Sequence, residues 1–214
     1  MLGRLARVRL AACLARPFGA LQAPSPLVSK LQSELEEEKA SYAPDPTITS
    51  FLKESSFQML EDELTPLLKM QKTVHDVTVE IAFEARAPMP AGEGEGEQQE
   101  EMSYVDFQVI VKREARKGGL AFECVSLNGE IQIMRLAYID DVQRLQQHTH
   151  LLEPNGYKGP DFTSLPEKTQ KVLLDYLTHL GVDEDLVAFL DIYANDKEQR
   201  LYQRWLSEAR SLAQ

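Results

Sequence analysis

A single α+β domain, an antiparallel sheet with helices before and after it, is what the 214-residue sequence predicts. Three observations predict it. Several runs in the middle of the chain alternate apolar and polar residues every two positions, the period of strands buried on one face. The flanking segments instead repeat apolar residues every three or four positions, the helical period. With one exception the links between the strand-like runs are short, which suits sequential antiparallel pairing.

Taken in order, Ser25-Pro26 offers an N-cap hydroxyl followed by proline in the first turn. Val28, Leu31 and Leu35 then share one face, predicting an amphipathic helix over about 26–40 that YAPDPT ends. SFQMLED and PLLKMQKT are weaker strand candidates. TVHDVTVEIAFEAR alternates most clearly, with His75, Val77, Val79, Ile81 and Phe83 predicted on the apolar face of one strand. YVDFQVIVK repeats the pattern through Val105, Phe107, Val109 and Val111. GLAFECVSL and EIQIMRL are joined by Asn128-Gly129, which suits the positive φ angles of a tight hairpin turn. Six strands result, with room for a seventh, in a meander.

The last fifty residues change period. Ser164 and Glu167 have the spacing of a capping box, and Gly181 supplies a left-handed stop after an apolar stripe of Leu173, Leu174, Tyr176 and Leu177. Asp183 is positioned to cap a longer helix. Along it Leu186, Val187, Leu190, Tyr193, Leu201, Trp205 and Leu212 form a core-facing stripe that Lys197 interrupts, so a kink or a subunit contact is expected there. The terminal helices are the natural cover for the sheet and are expected to pack on each other.

Charge is uneven along the chain. The formal net charge is −11, yet residues 1–25 contain Arg4, Arg7, Arg9 and Arg16 and no acid, so the remainder carries about −15. An Arg-, Leu- and Ala-rich, acid-free start reads as a mitochondrial transit peptide over 1–25, ahead of a single domain at 26–214. No run approaches the roughly 20 apolar residues that span a bilayer, so membrane insertion is not expected. PAGEGEGEQQEE, between the two clearest strands, predicts a flexible acidic loop over 88–102 carrying Glu93, Glu95, Glu97, Glu100 and Glu101. Further carboxylates cluster at 34–38, at Asp140 and Asp141, and at Asp183, Glu184 and Asp185. Such a chain repels polyanions and attracts basic proteins, with strong salt dependence.

Candidate chemistry is sparse. Two cysteines exclude a disulfide framework, since Cys13 leaves with the presequence, and Cys124 alternates with Phe122 and Leu120 as a buried hydrophobe would. His75 reads as a partly buried, hydrogen-bonded histidine. His148 and His150 form a close pair, but H-x-H without a third ligand at recognisable spacing is a weak metal signal, and an enzyme built on it is the minor alternative. His179 suits a helix C-terminus. No Walker loop, GxGxxG, GxSxG or HExxH occurs, and glutamates within GEGEG would repel phosphate. No cofactor and no catalytic residue are expected.

One family shares these residues. The segment from Tyr157, Gly159, Pro160 and Phe162 through Leu165, Tyr176-Leu177 and Gly181-Val182 to FLDIYANDKEQRLYQRWL resembles the mitochondrial acidic matrix proteins, also called the mitochondrial glycoprotein family. The resemblance covers most of 26–212. It implies a twisted seven-stranded antiparallel sheet, one N-terminal and two C-terminal helices, and a ring-shaped homotrimer with an acidic face. A seventh strand would fall at AYIDDV or in the stretch after it. The resemblance further implies a non-enzymatic, multi-ligand protein of the mitochondrial matrix that docks basic RNA-binding or ribosomal proteins and supports RNA processing and translation. RNA would be met only indirectly. An assembly chaperone for ribosomal or respiratory complexes has the same surface physics and stands as the alternative. The ten carboxylates named at 93–101, 140–141 and 183–185 are the expected partner-binding surface.

Overall fold

The computed structural model describes residues 26–86, 104–142, 157 and 159–214. The elements, in chain order, are helices α1 (Pro26–Ser41) and α2 (Pro46–Glu54), then strands β1 (Gln58–Glu61), β2 (Leu67–Val74), β3 (Val77–Glu84), β4 (Tyr104–Arg113), β5 (Gly119–Leu127) and β6 (Glu130–Ile139). A 3-10 turn (Phe162–Ser164) and helices α3 (Glu167–His179) and α4 (Glu184–Ala213) complete them. The strands form one antiparallel sheet in sequence order, β1 to β6, as the short links predict. Six strands are therefore found among the described residues. Ala137 to Ile139 belong to β6, and the stretch after Val142 lies outside the described residues.

Alternation decides which face is buried. Leu68, Phe83, Phe107, Cys124 and Ile133 line up across five strands, and Met70, Ile81, Val109 and Phe122 form the next row. Over these rows lie Leu177 of α3, Leu180 at its C-cap, and Leu186, Val187, Leu190 and Tyr193 of α4, one continuous core. The opposite face is not simply solvated: Ile110 and Ala121 are buried with Val142 in a small second cluster, and Gln108 is buried beside them on the same face. Cross-strand ion pairs, Lys112 with Glu80 and Arg135 with Glu123, occupy the rest of that face.

α1 and α4 pack on each other as expected of the terminal helices, with Val28 and Leu35 buried and Tyr42 Oη donating to Asp196 Oδ1 at 2.8 Å. Asn128 and Gly129 have φ of 51° and 87°, as the hairpin requires, and Gly181 has φ of 78°. Gly159 also lies at positive φ, and a Cβ there would meet the Leu136 carbonyl oxygen at 1.7 Å. Only glycine lets the chain cross β6 at that point, which then buries Phe162 against the core.

Four expectations are corrected. His75 is not on a strand face: it is exposed at φ 58° in the two-residue link of the β2–β3 hairpin, where Val74 pairs Val77. Its histidine tolerates this region better than a β-branched residue would. Ser164 caps no helix; its hydroxyl donates to the Asp161 carbonyl within the 3-10 turn, and Pro166 stands at the N-cap of α3. α4 runs unbroken through Lys197. Toward its end the predicted stripe leaves the core, with Trp205 and Leu212 exposed while Leu206 is buried. In addition YAPDPT does more than stop α1. Asp45 accepts from Thr47 N and Pro46 takes the first turn, so the same cap-then-proline signature starts α2.

Candidate functional site

Lys197 explains the interruption in the apolar stripe. Only 1% of its side chain is exposed, and its Nζ donates to Glu61 Oε1 at 2.7 Å and to the Asp62 carbonyl at 2.8 Å. Glu61 also accepts from Tyr193 Oη at 2.6 Å and Arg200 Nη1 at 2.7 Å, and Arg200 Nε reaches Asp196 at 2.8 Å. Burial alone would raise the Glu61 carboxyl, but the hydrogen bonds from Lys197, Tyr193 and Arg200 outweigh it and hold it down at about 2. Burial, then the Glu61 hydrogen bond, pushes the Tyr193 phenol up. Through Asp196 and Tyr42 this network fixes edge strand β1 and the α1–α2 link against one stretch of α4.

That stretch of α4 borders a groove. One cavity of about 620 Å³ lies between the α1–α2 link and α4, lined by the carboxylates of Glu38, Asp45, Asp196 and Glu198 over Ile192 and Tyr202. A second of about 490 Å³ lies between α2 and the start of α4, with Glu54, Asp183 and Asp185 around Phe51, Ala188 and Phe189. Ile192 lines both, so the two cavities adjoin at that side chain. The floor is apolar and stiff: Phe51 and Phe189 stack at 4.3 Å, and Tyr202 stacks on Trp205 at 5.9 Å. Glu38, Glu54, Asp185 and Glu198 have no ion-pair partner among the described residues. Lys72 is the single cation among the described residues of the lining. It sits over the Phe57 ring at 4.4 Å beside Gly181, and burial depresses its ammonium while Asp183 opposes that shift.

The sequence-predicted carboxylates are dispersed over this frame. Asp183 accepts from Leu186 N at 3.0 Å and so caps α4, as its position predicted, while Glu184 and Asp185 are exposed in the first turn. Asp140 and Asp141 follow β6 at the same end of the sheet, but four strands away from β2 and Lys72, about 19 Å across the sheet. Their neighbour Val142 bonds the Lys117 carbonyl on the β4–β5 link, which also carries Arg116, so that corner is mixed in charge. Glu93, Glu95, Glu97, Glu100 and Glu101 lie outside the described residues, as do His148 and His150. Reasoning from clusters in sequence missed the groove because Glu38, Glu54 and Glu198 are far apart along the chain. Only Lys197, a charge in an apolar stripe, signalled the network beside it.

Among the described residues no three His, Cys, Asp or Glu side chains are placed to hold a metal, and no helix is long and apolar enough to cross a membrane. Cys124 is buried, which pushes its thiol up to about 12 and makes it a poor nucleophile. His179 accompanies the end of α3, its Nδ1 2.6 Å from the Asp175 carbonyl.

Comparison with known proteins agrees with this picture. The family model described as mitochondrial glycoprotein (MAM33) matches residues 31–212. The mitochondrial acidic protein mam33 of Schizosaccharomyces pombe is 28% identical over 96 residues, which are 44% of this chain and only 36% of that protein. Two solved structures share the fold. A Leishmania major protein of unknown function, described as a sequence homologue of human p32, superposes with a TM-score of 0.70 at 18% identity, covering 88% of this chain and 97% of its own. The Trypanosoma brucei p22 protein does so with a TM-score of 0.66 at 20% identity and the same coverages. With a sheet, helices and acid-lined surface of this kind, and a family match along nearly all of the described fold, the chain belongs to the mitochondrial glycoprotein family and, with it, to the mitochondrial matrix.

Proposed function

We propose that the chain is a non-enzymatic acidic binding protein of the matrix that docks basic proteins, RNA-binding or ribosomal ones, and so supports mitochondrial RNA processing and translation. RNA is reached through those partners, because a chain of net charge −11 repels a phosphate backbone. The observation that carries this reading is the pair of adjoining cavities that α4 forms with the α1–α2 link and with α2, where carboxylates without an ion-pair partner among the described residues stand around a stiff apolar floor. Unpaired acids steer a basic partner and need no partner of their own to be displaced. Apolar floor residues then give a bound segment something to bury. Family members are binding proteins rather than enzymes, which is consistent with it.

The acidic loop, Asp140 and Asp141, and Glu184 and Asp185 extend the same negative field in this reading. A ring-shaped homotrimer belongs to it too, and the exposed Leu27, Trp205 and Leu212 on α1 and α4 supply apolar area that a subunit contact would cover. Capture from matrix lysate tests the function. Basic proteins should be retained after nuclease treatment and released as salt rises; retention at high salt, or loss on nuclease treatment, would overturn it. Light scattering tests the assembly, with three times the 24.2 kDa chain mass expected.

A further inference from the structure

We propose that Lys72 is a covalent capture site for neutral, apolar aldehydes, which enter the cavity between α2 and the start of α4 and form an imine with its Nζ.

The place of this lysine in the fold carries the inference. Strand β2 alternates, so Lys72 follows Leu68 and Met70, both fully buried, on the face that holds the core. Lys197 also stands where the local period calls for an apolar residue, and two acceptors hold it there, Glu61 Oε1 and the Asp62 carbonyl. Lys72 has no hydrogen bond and no ion pair among the described residues. Its partly buried amine lies over the Phe57 ring at 4.4 Å and lines the cavity of about 490 Å³ beside Gly181. Glycine at that position leaves the amine its room, because a Cβ there would run into the Nζ. Burial without an acceptor favours the uncharged amine, and Asp183 opposes this only in part. An uncharged, desolvated lysine is the nucleophile that imine chemistry needs.

The lining selects the electrophile. Phe51, Ala188, Phe189 and Ile192 give the cavity apolar walls, while Glu54 of α2, Asp183 of the α3–α4 link and Asp185 of α4 are the titratable groups that share it with Lys72. These carboxylates repel an anionic acyl donor such as a phosphate-bearing thioester, and acylation would cancel the cation that they surround. An aldehyde avoids both penalties. Nζ adds to the carbonyl carbon, both amine hydrogens end on the carbonyl oxygen, and that oxygen leaves as water while the C=N bond forms. Protonated, the imine keeps a positive charge beside Asp183. A cavity of this size suits a small ligand with an apolar tail.

Hexanal tests this on the full chain at neutral pH, with cyanoborohydride present to reduce each imine to a stable secondary amine and peptide mass spectrometry to place the adducts. Lys72 should be alkylated several-fold faster than Lys53 and Lys171, which are exposed. Glyoxylate, an aldehyde that carries a carboxylate, should show no such preference. Ala188→Trp puts an indole into the cavity from an exposed helix position, where the fold tolerates it, and should bring hexanal alkylation of Lys72 down to the rate at Lys53 with an unchanged far-ultraviolet circular dichroism. Hexanal alkylation of Lys72 no faster than that of Lys53 in the unaltered chain overturns the inference. So does an equal preference for Lys72 with glyoxylate, or an undiminished hexanal rate in Ala188→Trp, since either would mean a reactive amine without a selecting cavity.

Discussion

Glu61 accepts from Lys197, Tyr193 and Arg200, and the three donors are not equivalent. Lys197 is wholly buried, so Glu61→Ala strands an ammonium in the core and should cost about 3 kcal/mol in urea denaturation. Lys197→Met fills the same space and leaves Glu61 with two partners, so it should cost less than about 1 kcal/mol. A folded-state value of about 2, below the ordinary 4.5, means that the Glu61 contribution is complete above 4.5 and is lost as pH falls through that window. Glu61→Gln should therefore flatten the fall in stability between those two pH values. Lys197 was visible in the sequence as an anomaly in an apolar stripe. Its meaning was not, because its partner lies 136 positions earlier, in a strand only four residues long.

Helix starts and stops were legible where a local hydrogen bond decides them. Asp183 accepts from Leu186 N, and Asp183→Ala should cost about 1 kcal/mol in thermal unfolding. Gly181→Ala places an L side chain at φ 78° beside Lys72 and should cost about 1–2 kcal/mol in the same measurement. The Asn128-Gly129 hairpin was equally plain. Where two signals compete, local pattern is a poorer guide. Asp45-Pro46 both ends α1 and begins α2, and the prolines drew attention to the ending alone. His75 continued an alternating pattern perfectly, yet the chain turns there, with Val74 paired to Val77 across a two-residue link. His75→Gly should be neutral or stabilising, as relief of a positive φ predicts, and would be destabilising if His75 were a buried strand residue.

Fold class, strand order and family were all readable from periodicity and from the C-terminal residues, because each rests on local pattern. The groove was not, since it exists only once α1, α2 and α4 are brought together by contacts distant in sequence. Capture of basic partners by the assembled protein should weaken with salt throughout, and deletion of residues 90–101 should slow association while leaving the far-ultraviolet circular dichroism unchanged. The meander joins each strand to its neighbour and can pair as it emerges. Its lid is another matter. Phe83, Phe107 and Phe122 are roofed by side chains of α3 and α4, the last helices in the chain, and α1 waits for the same α4. A chain threaded N-terminus first thus holds an assembled but open-sided sheet until its final residues arrive, so completion is vectorial and late, and any chain broken within α4 is left as a sticky, half-roofed sheet for proteases and chaperones to find.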